Sequence, residues 1–300
     1  MKATKKQLAF CEKYNISFDQ FIGKDIIEGD LGMNSVTELV KGFNPIVGGY
    51  LSMHSVAKLI KGFNPTVGGH LSMGSVTKLV KGFNPTVGGH LSMDSVTELV
   101  KGFNPTVGGS LWLGSVTELV EGFNPIVGSS LWMNSVAELI AGFNPIVGSS
   151  LSMNSVTELI DGFNPTVGGN LWMDSVIKLV EGFNPIVGGY LWLSSVKKLI
   201  EGFNPSVGGR LRMNSVTDQD SISFTQINGS FVDFKNGFVK CDGIFMEVDS
   251  HRGNVWIGHK VGSKEKIFLV TDGNQKYSHG ETLKEAKEDL IFKVDGRRPD

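Results

Sequence analysis

The chain has 300 residues, with 28 Lys+Arg against 30 Asp+Glu for a formal charge of -2, 40% hydrophobic residues and 39 glycines. A near-neutral chain has no global basic surface with which to neutralise a run of phosphates, which disfavours duplex nucleic-acid binding as the main task, and so much glycine argues against a helical bundle. No segment reaches the length of a membrane span or a signal-peptide core, and Cys11 and Cys241 read as ordinary thiols of a reducing compartment, so the expectation is a cytoplasmic protein that does not engage a membrane.

Residues 1–28 stand apart from the remainder of the chain. Gln7-Leu8-Ala9-Phe10-Cys11 and the segment Asn15 to Phe21 predict two short helices, the second opened by Ser17 with Gln20 three residues on as a capping box. Their expected role is a helical lid on the first coil of a repeat array.

From residue 29 to 217 a twenty-residue repeat organises the chain, with Gly-Phe-Asn-Pro recurring in register at Phe43, Phe63, Phe83, Phe103, Phe123, Phe143, Phe163, Phe183 and Phe203. Each unit begins with alternating apolar residues, as at Leu51 and Met53, which predicts a short strand of about five residues. The apolar positions Val56, Leu59, Ile60, Phe63 and Val67 come next, broken by Asn64-Pro65 and Gly68-Gly69, so the rest of the unit reads as an irregular return. One coil cannot bury enough apolar surface to order itself, and stacking with parallel strand pairing is the remaining solution. In that solenoid the Phe43 series is expected as an internal spine, the Gly48 series as a corner with positive φ, and the Asn44 and Ser35 ladders as side chains that satisfy backbone groups.

The strand motif Leu-x-Met or Leu-x-Leu, followed by Ser-Val-Thr-Glu-Leu and a Phe four positions later, resembles the BspA-like class of leucine-rich repeats. The period here is 20, shorter than that family's, and Asn-Pro-x-Val-Gly-Gly stands where the family carries a cysteine-containing segment. The resemblance implies a leucine-rich-repeat arc whose parallel sheet lines a concave face used for binding; a straighter β-solenoid is the alternative.

Residues 218–300 form a separate small α+β domain by pattern. Strands are expected near 230–234, 237–241, 244–249, 253–260 and 265–271, then a helix from Thr282 with Glu285 at its third position and an apolar stripe of Leu283, Ala286, Leu290 and Ile291. The run Tyr277-Ser-His279-Gly-Glu-Thr282-Leu-Lys-Glu-Ala286 resembles the strand-to-helix junction of HicB-like antitoxin folds, which implies a partner-binding sandwich and transfers no activity.

Positions that vary between coils are those packing does not dictate, and three such columns flank the buried strand residues. The first runs Tyr50, His70, His90, Ser110, Ser130, Ser150, Asn170, Tyr190, Arg210; the third includes His54, Asp94 and Asp174. The middle column holds four of the five tryptophans, Trp112 and Trp132 on neighbouring rungs and Trp172 and Trp192 on another pair, with Ser152 expected to leave a gap between them. Large rings on a Ser/Asn/Gly-rich sheet have the character of binding hot spots. The expected binding surface is therefore Trp112, Trp132, Trp172 and Trp192, rimmed by His70, His90, Asp174, Tyr190 and Arg210. His70 and His90 sit close enough to share a metal, yet no third ligand converges on them, and Cys241, His251, His259, Asp272 and His279 carry no nucleophile motif. A further column, Lys41, Lys61, Lys81, Lys101, Glu121, Ala141, Asp161, Glu181 and Glu201, switches from basic to acidic.

The sequence thus reads as a non-enzymatic repeat scaffold that needs no cofactor and binds a protein partner on its concave face. A small-ligand binder, stacking a nucleotide or glycan between the tryptophan pairs, is the alternative. The array joined to its tail resembles bacterial or phage-borne proteins, which implies inhibition of a host enzyme as one role.

Overall fold

The computed structural model describes residues 2–200, 203–209, 211–213, 215, 222–223, 226–227, 230–233, 238–241, 244–260, 263–274 and 276–295. By internal contacts the chain divides into two compact units, Met1–Gly169 and Asn170–Asp300. The solenoid repeat runs through the first and resumes in the second.

In the first unit each coil contributes two short parallel strands to two separate ladders. The leucine ladder, starting at Leu31–Gly32 and Leu51–Ser52 and running to Leu151–Ser152, is the one the alternating apolar residues foretell, although each strand is two residues long rather than five. The valine ladder runs from Ile26–Ile27 through Ile46–Val47 to Thr166–Val167. It lies in what the sequence reads as an irregular return, because the pair Thr-Val inside Asn-Pro-Thr-Val-Gly-Gly is too short to show a period of two. A line of isolated parallel bridges joins Glu38 to Lys58, Lys58 to Lys78, Lys78 to Glu98 and Glu98 to Glu118.

Between the ladders lies a dry interior: Leu51, Met53, Val56, Phe63 and Val67 are at most 1% exposed, and the same positions of every described coil are buried. Phe43, Phe63, Phe83, Phe103, Phe123, Phe143 and Phe163 form a continuous stack with ring centroids 5.9–6.1 Å apart. Ile60 and its equivalents, expected inside, are only half-buried. Positive φ occurs at the Gly42 series, 82° at Gly62, and not at the Gly48 series. The latter must be glycine for another reason: a Cβ on Gly68 would collide with the Gly48 carbonyl of the coil below, so this corner is where backbones approach most closely.

The N-terminal lid extends the spine with its own rings. Helix α1 (Lys5–Tyr14) and helix α2 (Phe18–Phe21) each start in a full capping box, Thr4 with Gln7 and Ser17 with Gln20. They direct Phe10 and Phe21 onto Phe43 at 5.0 and 5.4 Å. Gln7 Nε2 donates to the Lys41 carbonyl and the Asn44 N–H donates to the Phe21 carbonyl, so the lid also satisfies backbone groups of the first coil. The Cys11 thiol is buried here, and burial raises its pKa.

In the second unit Leu171–Trp172, Leu191–Trp192 and Leu211–Met213 continue the leucine pattern, and Ile186–Val187 pairs with Ser206–Val207 in the valine pattern. An antiparallel strand, Ile222–Ser223, pairs with Leu211–Met213 and ends the parallel ladder. The C-terminal domain is a meander of seven antiparallel strands: β1 (Gln226–Ile227), β2 (Ser230–Asp233), β3 (Phe238–Cys241), β4 (Ile244–Arg252), β5 (Val255–Lys260), β6 (Lys266–Thr271) and β7 (Tyr277–Gly280). Helix α3 (Leu283–Asp295) packs on β6 and β7. Thr282 and Glu285 form the expected capping box. Ala286 is fully buried, but Ile291, expected in the apolar stripe, is 53% exposed, because the helix presents 283, 286 and 290 to the sheet. Phe245 of β4 meets Phe203 edge-on at 6.1 Å and gives the spine an aromatic end in this unit too.

The packing of spine and lid sets two measurable outcomes. Phe123→Ala, at a ring 1% exposed, is expected to destabilise the solenoid by about 3–5 kcal/mol, read as a lowered denaturant midpoint. Deleting residues 1–28 removes the lid and the first valine-ladder strand, and light scattering is expected to show edge-to-edge association.

The C-terminal domain adds a pH dependence. Burial lowers the Lys240 ammonium from 10.5 to about 8, while its Nζ donates to the Pro205 carbonyl. Below pH 8 the folded state carries the full cost of burying that charge. Between about 8 and 10.5 the folded chain releases a proton that the unfolded chain keeps, so stability rises with pH. Lys240→Met is expected to lose that rise when the two melting curves are compared from about pH 7 to 10.

Candidate functional site

The variable columns of the leucine ladder are built on a backbone device. Where a coil turns into its strand and the first column holds Asp, His, Ser or Asn, that side chain accepts the N–H of the same position on the next coil, a role Tyr50 and Tyr190 have no acceptor close to the backbone to fill. Asp30 Oδ1 accepts from Tyr50, His70 Nδ1 from His90, His90 Nδ1 from Ser110, Ser110 Oγ from Ser130 and Ser130 Oγ from Ser150, at 2.7–3.3 Å. In the second unit Asn170 Oδ1 accepts from Tyr190 at 2.8 Å. The Asn44 series does the same beside the valine ladder, Asn64 N–H to Asn44 Oδ1 at 2.6 Å and so on, and the Ser95, Ser135 and Ser155 hydroxyls donate to carbonyls of the preceding coil. Both of these invariant ladders are scaffolding, as their sequence reading expects.

The acceptor role fixes the chemistry of His70 and His90. Their rings stack at 4.4 Å, and each Nδ1 takes a hydrogen bond from a backbone N–H, so the proton of the neutral ring sits on Nε2. Neither ring then presents a lone pair outward, and zinc needs neutral nitrogen donors with a free lone pair. Among the described residues no group of three His, Cys, Asp or Glu side chains is placed to hold a metal.

The aromatic residues form two groups, one in each unit. In the first, Tyr50 stacks on His70 at 4.8 Å, His70 on His90, and His90 leans on Trp112 at 5.0 Å; Trp112 and Trp132 are ladder partners on adjacent rungs. In the second, Trp172 and Trp192 stack at 5.4 Å and Tyr190 meets Trp192 edge-on at 5.1 Å. All four indoles are half-buried, while Tyr50 and Tyr190 are 51% and 42% exposed. Asp174 Oδ1 accepts from the Ser194 N–H and hydroxyl, so its carboxylate is partly engaged in the scaffold. Arg210 lies outside the described residues.

The gap expected at Ser152 is closed. Ser152 is 2% exposed and its hydroxyl donates to Asn134 Oδ1 at 2.5 Å, so the small side chain on the rung after Trp132 leaves no open slot. Elsewhere in that column Ser52 donates to Asn34 and Ser92 to Asp94, and Ser72 lies 3.2 Å from His54 Nδ1. The third column thus serves the middle one, a pairing between positions 18 or two residues apart that a column-by-column reading misses. The signal is present in the sequence: an Asn, Asp or His stands at one of those two spacings from each of these serines.

Of the Cys-His-Asp residues of the C-terminal domain, Cys241 and His279 line one small apolar pocket with Val239, Met246 and Leu269, while the others stand at separate places. Cys241 is buried in the sheet core, His251 stacks on Trp256 at 5.8 Å, His259 lies beside Asp249 at 3.9 Å, and Asp272 caps the Asn274 and Lys276 N–H groups of a turn. Between α3 and the sheet there is a cavity of about 630 Å³ floored by Ile244, Ile267 and Phe292. Three of its four carboxylates make contacts within the domain: Glu285 caps the helix, Asp289 accepts from Ser278, and Glu288 lies 3.7 Å from Lys284. At its rim Lys260 and Glu265 pair at 2.8 Å, which raises the ammonium pKa and lowers the carboxyl pKa.

Among the described residues no helix is long and apolar enough to cross a membrane. Comparisons with family profiles, with curated proteins and with solved structures gave no match.

The backbone-acceptor role of the histidines has a direct check. His70→Phe keeps a stacking ring but strands the His90 N–H, and is expected to cost about 1–3 kcal/mol in urea unfolding. His70→Asn, which restores an acceptor as Asn170 does, is expected to recover most of it.

Proposed function

We propose that the protein is a binding scaffold that holds a protein partner against the ring-bearing face of the leucine ladder. One observation carries this reading: on a short-stranded, rigid sheet, half-exposed aromatic rings occupy consecutive rungs, Tyr50-His70-His90-Trp112-Trp132 in one unit and Trp172-Tyr190-Trp192 in the other. Rings already held by their neighbours lose little entropy when a partner covers them, and aromatic anchors on a polar surround are the usual carriers of interface energy. His70 and His90 flank the rings of the first unit, and Asp174 and Tyr190 those of the second, orienting the partner more than holding it.

The ring geometry favours a macromolecular partner over a stacking ligand. A nucleotide or glycan needs an open ring face, whereas Trp172 and Trp192 each turn one face on the other and Ser152 offers no slot for insertion. A bacterial host enzyme, acted on by binding rather than by chemistry on the scaffold's side, is the partner class that the resemblance of array and tail implies.

The test replaces Trp112, Trp132, Trp172 and Trp192 by Ser, the residue that already fills Ser52, Ser72, Ser92 and Ser152. The variant is expected to keep its melting temperature and to lose the proteins that the wild type retains from lysate. Retention unchanged would move the site off this face, and binding of nucleotides or oligosaccharides by the wild type, abolished in the variant, would favour the small-ligand reading.

A further inference from the structure

A second surface of the first unit carries information that neither packing nor the ring face uses. Along the segment between the two ladders, each coil exposes two positions three residues apart, all charged but Ala141, with a half-buried aliphatic between them: Glu38-Val40-Lys41, Lys58-Ile60-Lys61, Lys78-Val80-Lys81, Glu98-Val100-Lys101, Glu118-Val120-Glu121, Glu138-Ile140-Ala141 and Glu158-Ile160-Asp161. Taken rung by rung, the charge is balanced, doubly positive, doubly positive, balanced, doubly negative, singly negative and doubly negative. The pattern changes sign about the rung of Glu98 and Lys101.

This order leaves like charges adjacent inside each block: Lys58 is the bridge partner of Lys78, and Glu98 of Glu118, whereas the bridges from Glu38 to Lys58 and from Lys78 to Glu98 join opposite charges; like charges directly opposite weaken a ladder. Alternating signs would pair each rung with the next, as happens where the sign changes, at Lys101 and Glu121, 3.0 Å apart. The aliphatic column Val40, Ile60, Val80, Val100, Val120, Ile140 and Ile160 meanwhile stays partly open to water between the charged columns. A face with an apolar centre line and segregated charges is suited to a partner whose charges run the opposite way.

We propose that this face docks on the same face of a second copy, antiparallel, about a two-fold axis at the Glu98–Lys101 rung. A two-fold requires that if position i meets position j, then j meets i. The charge order meets that condition over the two inner blocks: Lys78 and Lys81 lie against the partner's Glu118 and the partner's Glu121, Lys58 lies against the partner's Glu138, and the same contacts recur on the other side of the axis, while Lys61 meets the partner's Ala141, the axis rung meets its own copy and Glu38 meets the partner's Glu158. The aliphatic columns meet along the centre. Seven rungs at about 4.8 Å span roughly 34 Å, and a strip of that length covers on the order of 400–500 Å² per copy, at the low end of specific interfaces. The dimer is therefore weak, steered by charge and dissolved by salt.

The experiment uses the full chain. Sedimentation at about 0.5 mM protein is expected to show dimer at roughly 20 mM NaCl and monomer at roughly 500 mM. An all-acidic variant, K58E/K61E/K78E/K81E, and an all-basic variant, E118K/E121K/E138K/E158K/D161K, are each expected to be monomeric at low salt with melting transitions retained. Mixed in equal amounts they are expected to form a heterodimer. A wild type that stays monomeric at low salt overturns the proposal, as do single variants that dimerise like the wild type, or a mixture of two folded variants that remains monomeric. The four-Trp→Ser chain of the ring face is expected to dimerise as the wild type does, which separates this surface from the first.

Discussion

The stacking of one buried phenylalanine per coil is the contact on which the rest of the structure depends. A twenty-residue coil has no interior of its own; Phe63 becomes buried because Phe43 lies below it and Phe83 above, with centroids 6.0 and 6.1 Å away. Every other regularity serves that repeat distance. The Gly48 series lets backbones close to the strand spacing at one corner, and the Asn44 series hands each coil's N–H an acceptor from the coil below. The array ends where something other than a coil supplies the missing ring: Phe10 and Phe21 at the start, Phe245 beyond Phe203 in the second unit. Terminal repeats of a solenoid need such closure because their faces are otherwise open core.

A scaffold satisfied by nearest neighbours alone leaves its outward positions free to differ, but not all equally. The first column looks arbitrary as a string of Tyr, His, Ser and Asn, yet Asp30, His70, His90, Ser110, Ser130 and Asn170 share one property, an acceptor atom close to the backbone. That constraint binds half of each side chain and leaves the rest to vary. The imidazoles of His70 and His90 therefore spend their Nδ1 lone pair on the backbone while their rings contribute surface.

Legibility in the sequence depends on how many residues carry each signal. The leucine ladder is readable because Leu51 and Met53 alternate and recur at every period, and the spine because Phe63 never shifts register. The valine ladder is not, since two residues between Pro65 and Gly68 cannot display a period. Positive φ is expected at the wrong corner for a related reason: two glycine positions recur with equal regularity, and only the three-dimensional path distinguishes Gly62, which needs its torsion, from Gly68, which needs its missing side chain. The tryptophan column is placed correctly on the strand, but the slot expected at Ser152 rests on side-chain volume and ignores how neighbouring groups and Asn134 close over a small residue.

The two proposed surfaces differ in the kind of departure from the repeat that marks them. On the ring face the departures are of size, Trp for Ser, and their neighbours absorb them by stacking. On the lateral face they are of sign, and the scaffold absorbs them only in part: Lys58 lies beside Lys78 and Glu98 beside Glu118, while Glu38 pairs with Lys58 and Lys78 with Glu98. An exposed ion pair stabilises by little, so intramolecular stability exerts only a weak pull towards alternation, and a segregated pattern costs the monomer correspondingly little. The same segregation summed over several rungs gives a field that discriminates orientation, since a parallel approach of two copies sets lysine against lysine while the antiparallel one sets the lysine block of one copy against the glutamates of the other. Where each charge is worth so little alone, the order of the charges, more than their number, is what makes one docking arrangement preferable to the other.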